Sequence, residues 1–219
     1  MSGGLVASNE CWFTTSVPYR RTPEIQARLD SQRDTIVDAA GSLLAEHGYA
    51  GCSVAAVAAR ARVAAGTVYR HFDGKAELVG EVFRAVAGRE VDAVRAAVAG
   101  SSGVLAQTTA VIDTFAGRAL KAPRLAYALL AEPVDPVVDA LRLEFRTAFR
   151  DVIVEVVADG VNRGDLPPQS ATVVAAALVG AIGEALVGPL AAGTGDPDTV
   201  STLITFASRA IGAADATHA

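Results

Sequence analysis

The chain has 219 residues, 51% hydrophobic but only 5% aromatic, with a net charge of −5 at neutral pH. That length buries a sizeable core without staples, and two cysteines and three histidines, with no C-x-x-C, argue against a disulfide scaffold and a Cys/His zinc site. The acidic balance argues against a broad basic field for nucleic acid, but it is unevenly divided: residues 20–75 hold eight Lys/Arg and six Asp/Glu, net +2, whereas residues 86–219 hold ten and fifteen, net −5.

Much of the apolar content is alanine, and segments of period 3.6 recur with few alternating β-branched runs, so the chain reads as all-α, with about nine helices. Residues 1–21 show no periodicity and read as an N-terminal arm ending in Tyr19, Arg20 and Arg21. They lack the basic region and continuous apolar run of a secretion signal, so a cytoplasmic protein is expected. Thr22-Pro23 is a helix start, Thr as cap and Pro where its missing amide costs nothing, with Ser31 and Asp34 as a second possible start. Ile36, Ala40, Leu43, Leu44 and His47 then mark one face, Gly48 is placed to end the helix, and Tyr49 packs between helices. Cys52 reads as a small buried filler; redox sensing is the weaker reading.

Residues 53–72, SVAAVAARARVAAGTVYRHF, read as two short helices around a three-residue break. Ser53 stands where an N-cap stands, and Val54, Val57, Ala58 and Ala61 form one buried face. Val63, Val68 and Phe72 anchor the second helix inward and leave Ala65, Gly66, Thr67, Tyr69, Arg70 and His71 outside. Small side chains and donors on an outer face suit a groove, and two such helices form a helix-turn-helix, whose second helix lies in the DNA major groove.

Lys75 begins a helix that runs to about Val98, followed by a break at residues 99–103. Further helices are expected from Val104 to Leu120, around Leu125 to Leu130, and from about Pro136 to Asp159, with Pro133 and Pro136 bracketing a turn. Residues 172–192 form an apolar span long enough to cross a bilayer, with Glu184 as its only charge. Glu184, three glycines, Pro189 and the absence of basic flanks argue against a membrane and for burial in an oligomer. Small residues Ala177, Gly180, Ala181 and Ala185, with the stripe Val200, Leu203, Ile204, Ala207 and Ile211 on the last helix, look like half of a four-helix homodimer interface.

The order IVDAAGSLLAEHGY, SVAAVAARARVAAGTVYRHF, then K-x-E-L, from Ile36 to Leu78, resembles the N-terminal DNA-binding domain of the tetracycline-repressor (TetR) family. The resemblance implies a three-helix helix-turn-helix domain at residues 22–85 and a helical ligand-binding and dimerisation domain at residues 86–219. It also implies a homodimeric regulator, most often a repressor, that binds a palindromic operator in double-stranded DNA and is released by a small molecule. Carried over by position, Ala65, Gly66, Thr67 and Arg70 face base edges, Arg70 being suited to bidentate guanine contact, while Ser53, Tyr69, His71 and Lys75 hold phosphates. This sequence departs from the family twice: Arg62 stands where the turn usually has Gly, leaving a strained turn or an αR-like variant, and Ala64 replaces the usual hydroxyl cap.

For the second domain the resemblance implies a pocket between the fifth, seventh and eighth helices, drawing on Phe115, Tyr127, Leu130, Leu141, Phe145, Phe149, Leu178 and Ile182. These predict a mainly apolar effector, although core packing explains the same residues; Arg118 and Glu184 are candidate polar anchors. No cofactor and no metal are expected. Two other readings remain open here, a helical enzyme and a membrane-associated helical protein. The first lacks a Ser/His/Asp or paired-carboxylate set, and the second requires residues 172–192 to enter lipid.

Overall fold

The computed structural model describes residues 22–213, which form nine helices and no strand. The expectation for the arm at residues 1–21 lies outside the described residues.

Helix α1 begins at Pro23, and the Ile25 amide donates to the Thr22 hydroxyl at 3.4 Å, as the Thr-Pro pair predicts. The alternative start at Ser31 is not used, because the helix runs through it without interruption. Regular geometry stops at Gly48, where φ is +68°; a last irregular turn carries the element to Gly51. Helices α2 (Val54–Ala61) and α3 (Ala65–His71) follow. Ser53 caps α2 by accepting from the Ala56 amide at 3.1 Å. Ile36, Leu44, Val57, Val68 and Phe72 close this unit with Leu78, Val79 and Val82 from the first turns of α4 (Lys75–Ala99).

The remaining helices are α5 (Val104–Lys121), α6 (Pro123–Leu130), α7 (Pro136–Arg163), α8 (Ala171–Ala192) and α9 (Thr199–Ala210). Helix α7 runs four residues past the expected Asp159, until Gly164 takes the left-handed conformation that ends it. The second core gathers Val94, Ile112, Ala116, Val156, Leu178, Leu186 and Ile211 from α4, α5, α7, α8 and the end of α9. Helix α4 belongs to both cores and so joins them. The first turns of α7 also cross over, since Val138 and Leu141 are buried in the N-terminal core.

This packing corrects the expected interface on α9. Leu203, Ala207 and Ile211 are buried within the protomer, and Val200 and Ile204 pack on the same core, so that stripe holds α9 to its own α5. The outward face of α9 is Ser201, Thr202, Thr205, Phe206 and Arg209. On α8 the inward stripe is Ala175, Leu178, Ile182, Leu186 and Leu190. Ala177, Gly180 and Ala185 are exposed and Ala181 is half-buried. Helix α8 is one helix among the described residues long and apolar enough to span a membrane, and Glu184 lies on its exposed side.

Candidate nucleic-acid interface and apolar cavity

The turn between α2 and α3 takes the strained form. Arg62 has φ 57° and ψ 41°, the left-handed conformation that glycine adopts freely and a side chain does not. Its amide donates to Ala59 O at 3.2 Å and the Val63 amide to Ala58 O at 3.0 Å, which closes α2 and directs the chain into α3. Ala64 is the cap residue of α3 and offers no side-chain acceptor.

With Val68 fully buried and Phe72 2% exposed, the inner side of α3 is fixed. Ala65, Gly66, Tyr69 and Arg70 are exposed and Thr67 is half-buried, so the residues matched to base edges lie on or beside the free side of one helix. Tyr69 is 58% exposed, unusual for so large an apolar ring. The other matched residues have partners inside the protein. His71 Nε2 lies 3.1 Å from Gln32 Oε1, and Lys75 Nζ stands 3.8 Å from the centroid of the Tyr49 ring.

A cavity of about 120 Å³ opens where the two cores meet, walled almost entirely by apolar groups. Of the expected lining, Phe115, Leu130, Phe145, Phe149 and Ile182 border it, with Phe115 and Phe149 edge-to-face at 4.8 Å. Three expected residues do not. Leu141 is buried in the N-terminal core against Gly80, Leu178 faces a separate small void beside Thr108 and Val156, and Tyr127 packs on the outer part of the second core. The wall also draws on α4 and α6, through Phe83, Val86, Leu125 and Leu129, which the expected three-helix pocket omits. Phe83, Ala87 and Glu90 recur at fours and threes along α4, and this spacing is the signal that could have marked that wall.

Polar groups gather at the cavity edge: Glu90, Arg118, Arg142 and Arg146, three cations and one carboxylate. Of the two anchors the sequence suggests, Arg118 borders the cavity and Glu184 does not, being exposed on α8. Glu90 accepts from Arg118, and this bond holds the guanidinium pKa above its ordinary value. Arg142 is the most enclosed, its side chain 13% exposed, and burial lowers its pKa. A guanidinium stays charged in proteins, so the edge carries a net positive charge next to an apolar wall.

Comparison with known proteins agrees with this architecture. Residues 36–82 match the family of bacterial regulatory proteins described as tetR. The chain is 29% identical over 143 residues, 62% of its length, to the HTH-type transcriptional repressor KstR2 of Rhodococcus jostii, of which 70% is covered. Among solved structures it is similar to a TetR transcription regulator from Haloarcula marismortui, with a TM-score of 0.73 at 21% identity over 84% of this chain and 98% of that one. It is likewise similar to FadR from Bacillus subtilis in complex with stearoyl-CoA, with a TM-score of 0.72 at 18% identity over 83% and 99%. The matched residues span the helix-turn-helix unit, which is thereby of the kind found in transcriptional regulators. At residues 36–82 the chain resembles the TetR family, which is one of transcriptional regulators.

Proposed function

We propose that this regulator is a cytoplasmic repressor that binds a two-fold operator as a homodimer and is released by an effector with an apolar body and an anionic end. The observation that carries the reading is the pairing of free donors on α3 with a separate apolar cavity edged by arginines. Arg70 reads a base edge, Ala65 and Gly66 let α3 approach the groove floor, Thr67 sits beside them, and Tyr69 holds a phosphate. Ser53 adds a phosphate contact through its hydroxyl proton, which the cap leaves free. His71 and Lys75 reach phosphates only by leaving Gln32 and Tyr49, so their contribution is smaller.

Dimerisation uses the exposed small residues Ala177, Gly180 and Ala185 of α8 together with Thr202, Thr205 and Phe206 of α9. A second copy covers that surface, in keeping with the closed two-fold symmetry of most oligomers. The effector places its apolar part against Phe115, Phe145, Phe149 and Ile182 and its anionic end on the arginine edge. The repressor name of the Rhodococcus relative and the acyl-CoA bound by B. subtilis FadR support both halves of the reading.

The test is selection of bound sequences from random duplex DNA. Wild type is expected to return a palindrome, with Arg70→Ala losing at least about tenfold in affinity for it, the loss of one good base contact. Equal binding of scrambled and selected DNA by the wild type sinks the reading.

A further inference from the structure

We propose that Arg142 is the positioning residue through which occupation of the cavity reaches the DNA-reading unit, by way of residues 131–135 and Tyr49. The inference rests on the effector reading of the cavity. Arg142 borders the cavity from α7 and at the same time closes the end of α6. Its guanidinium donates to Leu129 O at 2.9 Å, Ala128 O at 3.2 Å and Glu132 O at 2.8 Å, and to the Asp139 carboxylate at 2.8 Å. The first two carbonyls are among those an α-helix leaves unpaired at its C-terminus.

The segment that Arg142 holds is also the segment that grips the helix-turn-helix unit. The Glu132 carboxylate accepts from the Tyr49 amide at 2.8 Å, and the Asp135 carboxylate accepts from the Tyr49 hydroxyl. The Tyr49 ring in turn carries Lys75, the first residue of α4 and four positions beyond the end of α3.

Two departures from local preference serve this grip. Asp135 stands at the N-cap of α7, where its side chain would ordinarily accept from a first-turn amide, yet it makes no such bond and turns to Tyr49 instead. Gly48 ends α1 with φ +68°, and a Cβ there would lie 2.9 Å from Glu132 Oε1, so a side chain at this position has to push the carboxylate away from the Tyr49 amide.

An anionic group entering the cavity competes with neutral carbonyls for Arg142, and a charge-assisted bidentate pair is the stronger partner. The carbonyls of residues 128, 129 and 132 then lose their donor, and the hold of Glu132 on Tyr49 loosens. The effector therefore favours a second arrangement of residues 131–135, which satisfies the requirement that a coupled ligand bind two states unequally.

The test has two arms, both on the full chain. Without ligand, amide exchange at Tyr49 is followed in wild type, Arg142→Lys and Glu132→Gln, with the heteronuclear spectrum reporting that each variant is folded. Both substitutions are expected to speed Tyr49 exchange at least about tenfold while the buried amides of α5 stay within about twofold. Unchanged Tyr49 exchange in folded Arg142→Lys overturns the relay, whatever any ligand does; should that variant not fold, the same result in Glu132→Gln overturns it.

In the second arm, stearoyl-CoA is the probe against the selected operator. Wild type is expected to lose at least about tenfold in DNA affinity, whereas Glu132→Gln and Tyr49→Phe bind the probe as wild type does but lose less than about threefold. A full loss in both variants overturns the relay. A wild type that ignores the probe counts against the effector class alone, and the exchange arm then decides the relay.

Discussion

Arg118 Nη2 donates to Glu90 Oε1 at 2.8 Å, and its Nε donates to the other carboxylate oxygen, so one cation at the cavity edge is already matched by an anion. The pair sits in water on one side, where an ion pair contributes little to folding but cancels charge locally. Glu90→Gln is therefore expected to leave thermal unfolding almost unchanged and to tighten stearoyl-CoA several-fold. The gain should fade at high salt. Calorimetric titration at two ionic strengths checks this, and an unaltered affinity at both removes the charged edge from effector recognition.

The α2–α3 turn offers two independent gains. Arg62→Gly relieves a left-handed side chain and is expected to raise stability by roughly 0.5–1 kcal/mol, the strain removed being partly offset by the freer unfolded chain. Ala64→Ser supplies the missing acceptor for the first turn of α3 and adds about 1 kcal/mol. Urea unfolding measures both. The serine variant should also protect the Gly66 and Thr67 amides, and a serine without that protection contradicts the capping account.

Tyr49 titrates late. Burial, followed by the Asp135 carboxylate beside its hydroxyl, pushes its pKa from 10.0 to about 12. Below pH 10 the phenol is neutral in both states and its contribution to folding is complete. Between pH 10 and 12 the unfolded chain releases the proton and the folded chain does not, so stability falls with rising pH through that window. Tyr49→Phe is expected to remove the last step of the ultraviolet tyrosine titration and to flatten this part of the stability profile.

Gly183 lies on the cavity side of α8, and a Cβ built there meets nothing within 4 Å. Gly183→Ala is expected to stabilise by up to about 1 kcal/mol, since glycine in a helix interior costs that much. Gly183→Phe should fold and block the cavity, lowering affinity for stearoyl-CoA at least about tenfold with operator binding intact. Unimpaired probe binding by the phenylalanine variant moves the effector site elsewhere.

Helix positions were legible because local signals agreed with tertiary structure: Thr22, Ser53 and Gly48 mark ends by backbone chemistry that needs no partner, whereas the end of α7 at Gly164 was placed four residues early. The outer side of α3 was legible for the same reason, as Val68 and Phe72 fix which side faces in. Which apolar stripe of α9 turns inward was not, because Leu203 and Ala207 serve a core or an interface equally well and only α5 decides. Cavity membership failed similarly. Leu141 and Phe145 are one turn apart on α7, yet Leu141 is buried in the N-terminal core while Phe145 borders the void. Arg142 was overlooked because its role depends on carbonyls at residues 128, 129 and 132, and backbone acceptors carry no sequence signature.

Gly48 answers to two demands at once, a left-handed turn and the close approach of a carboxylate from a residue 84 positions away. Asparagine can meet the first demand, but its Cβ would meet the second only by displacing the Glu132 carboxylate from the Tyr49 amide. A library randomised at this codon and selected for ligand-dependent repression should return glycine alone, whereas selection for stable folding by itself should also admit asparagine. The difference between the two selections would separate what the turn needs to form from what the regulator needs to respond.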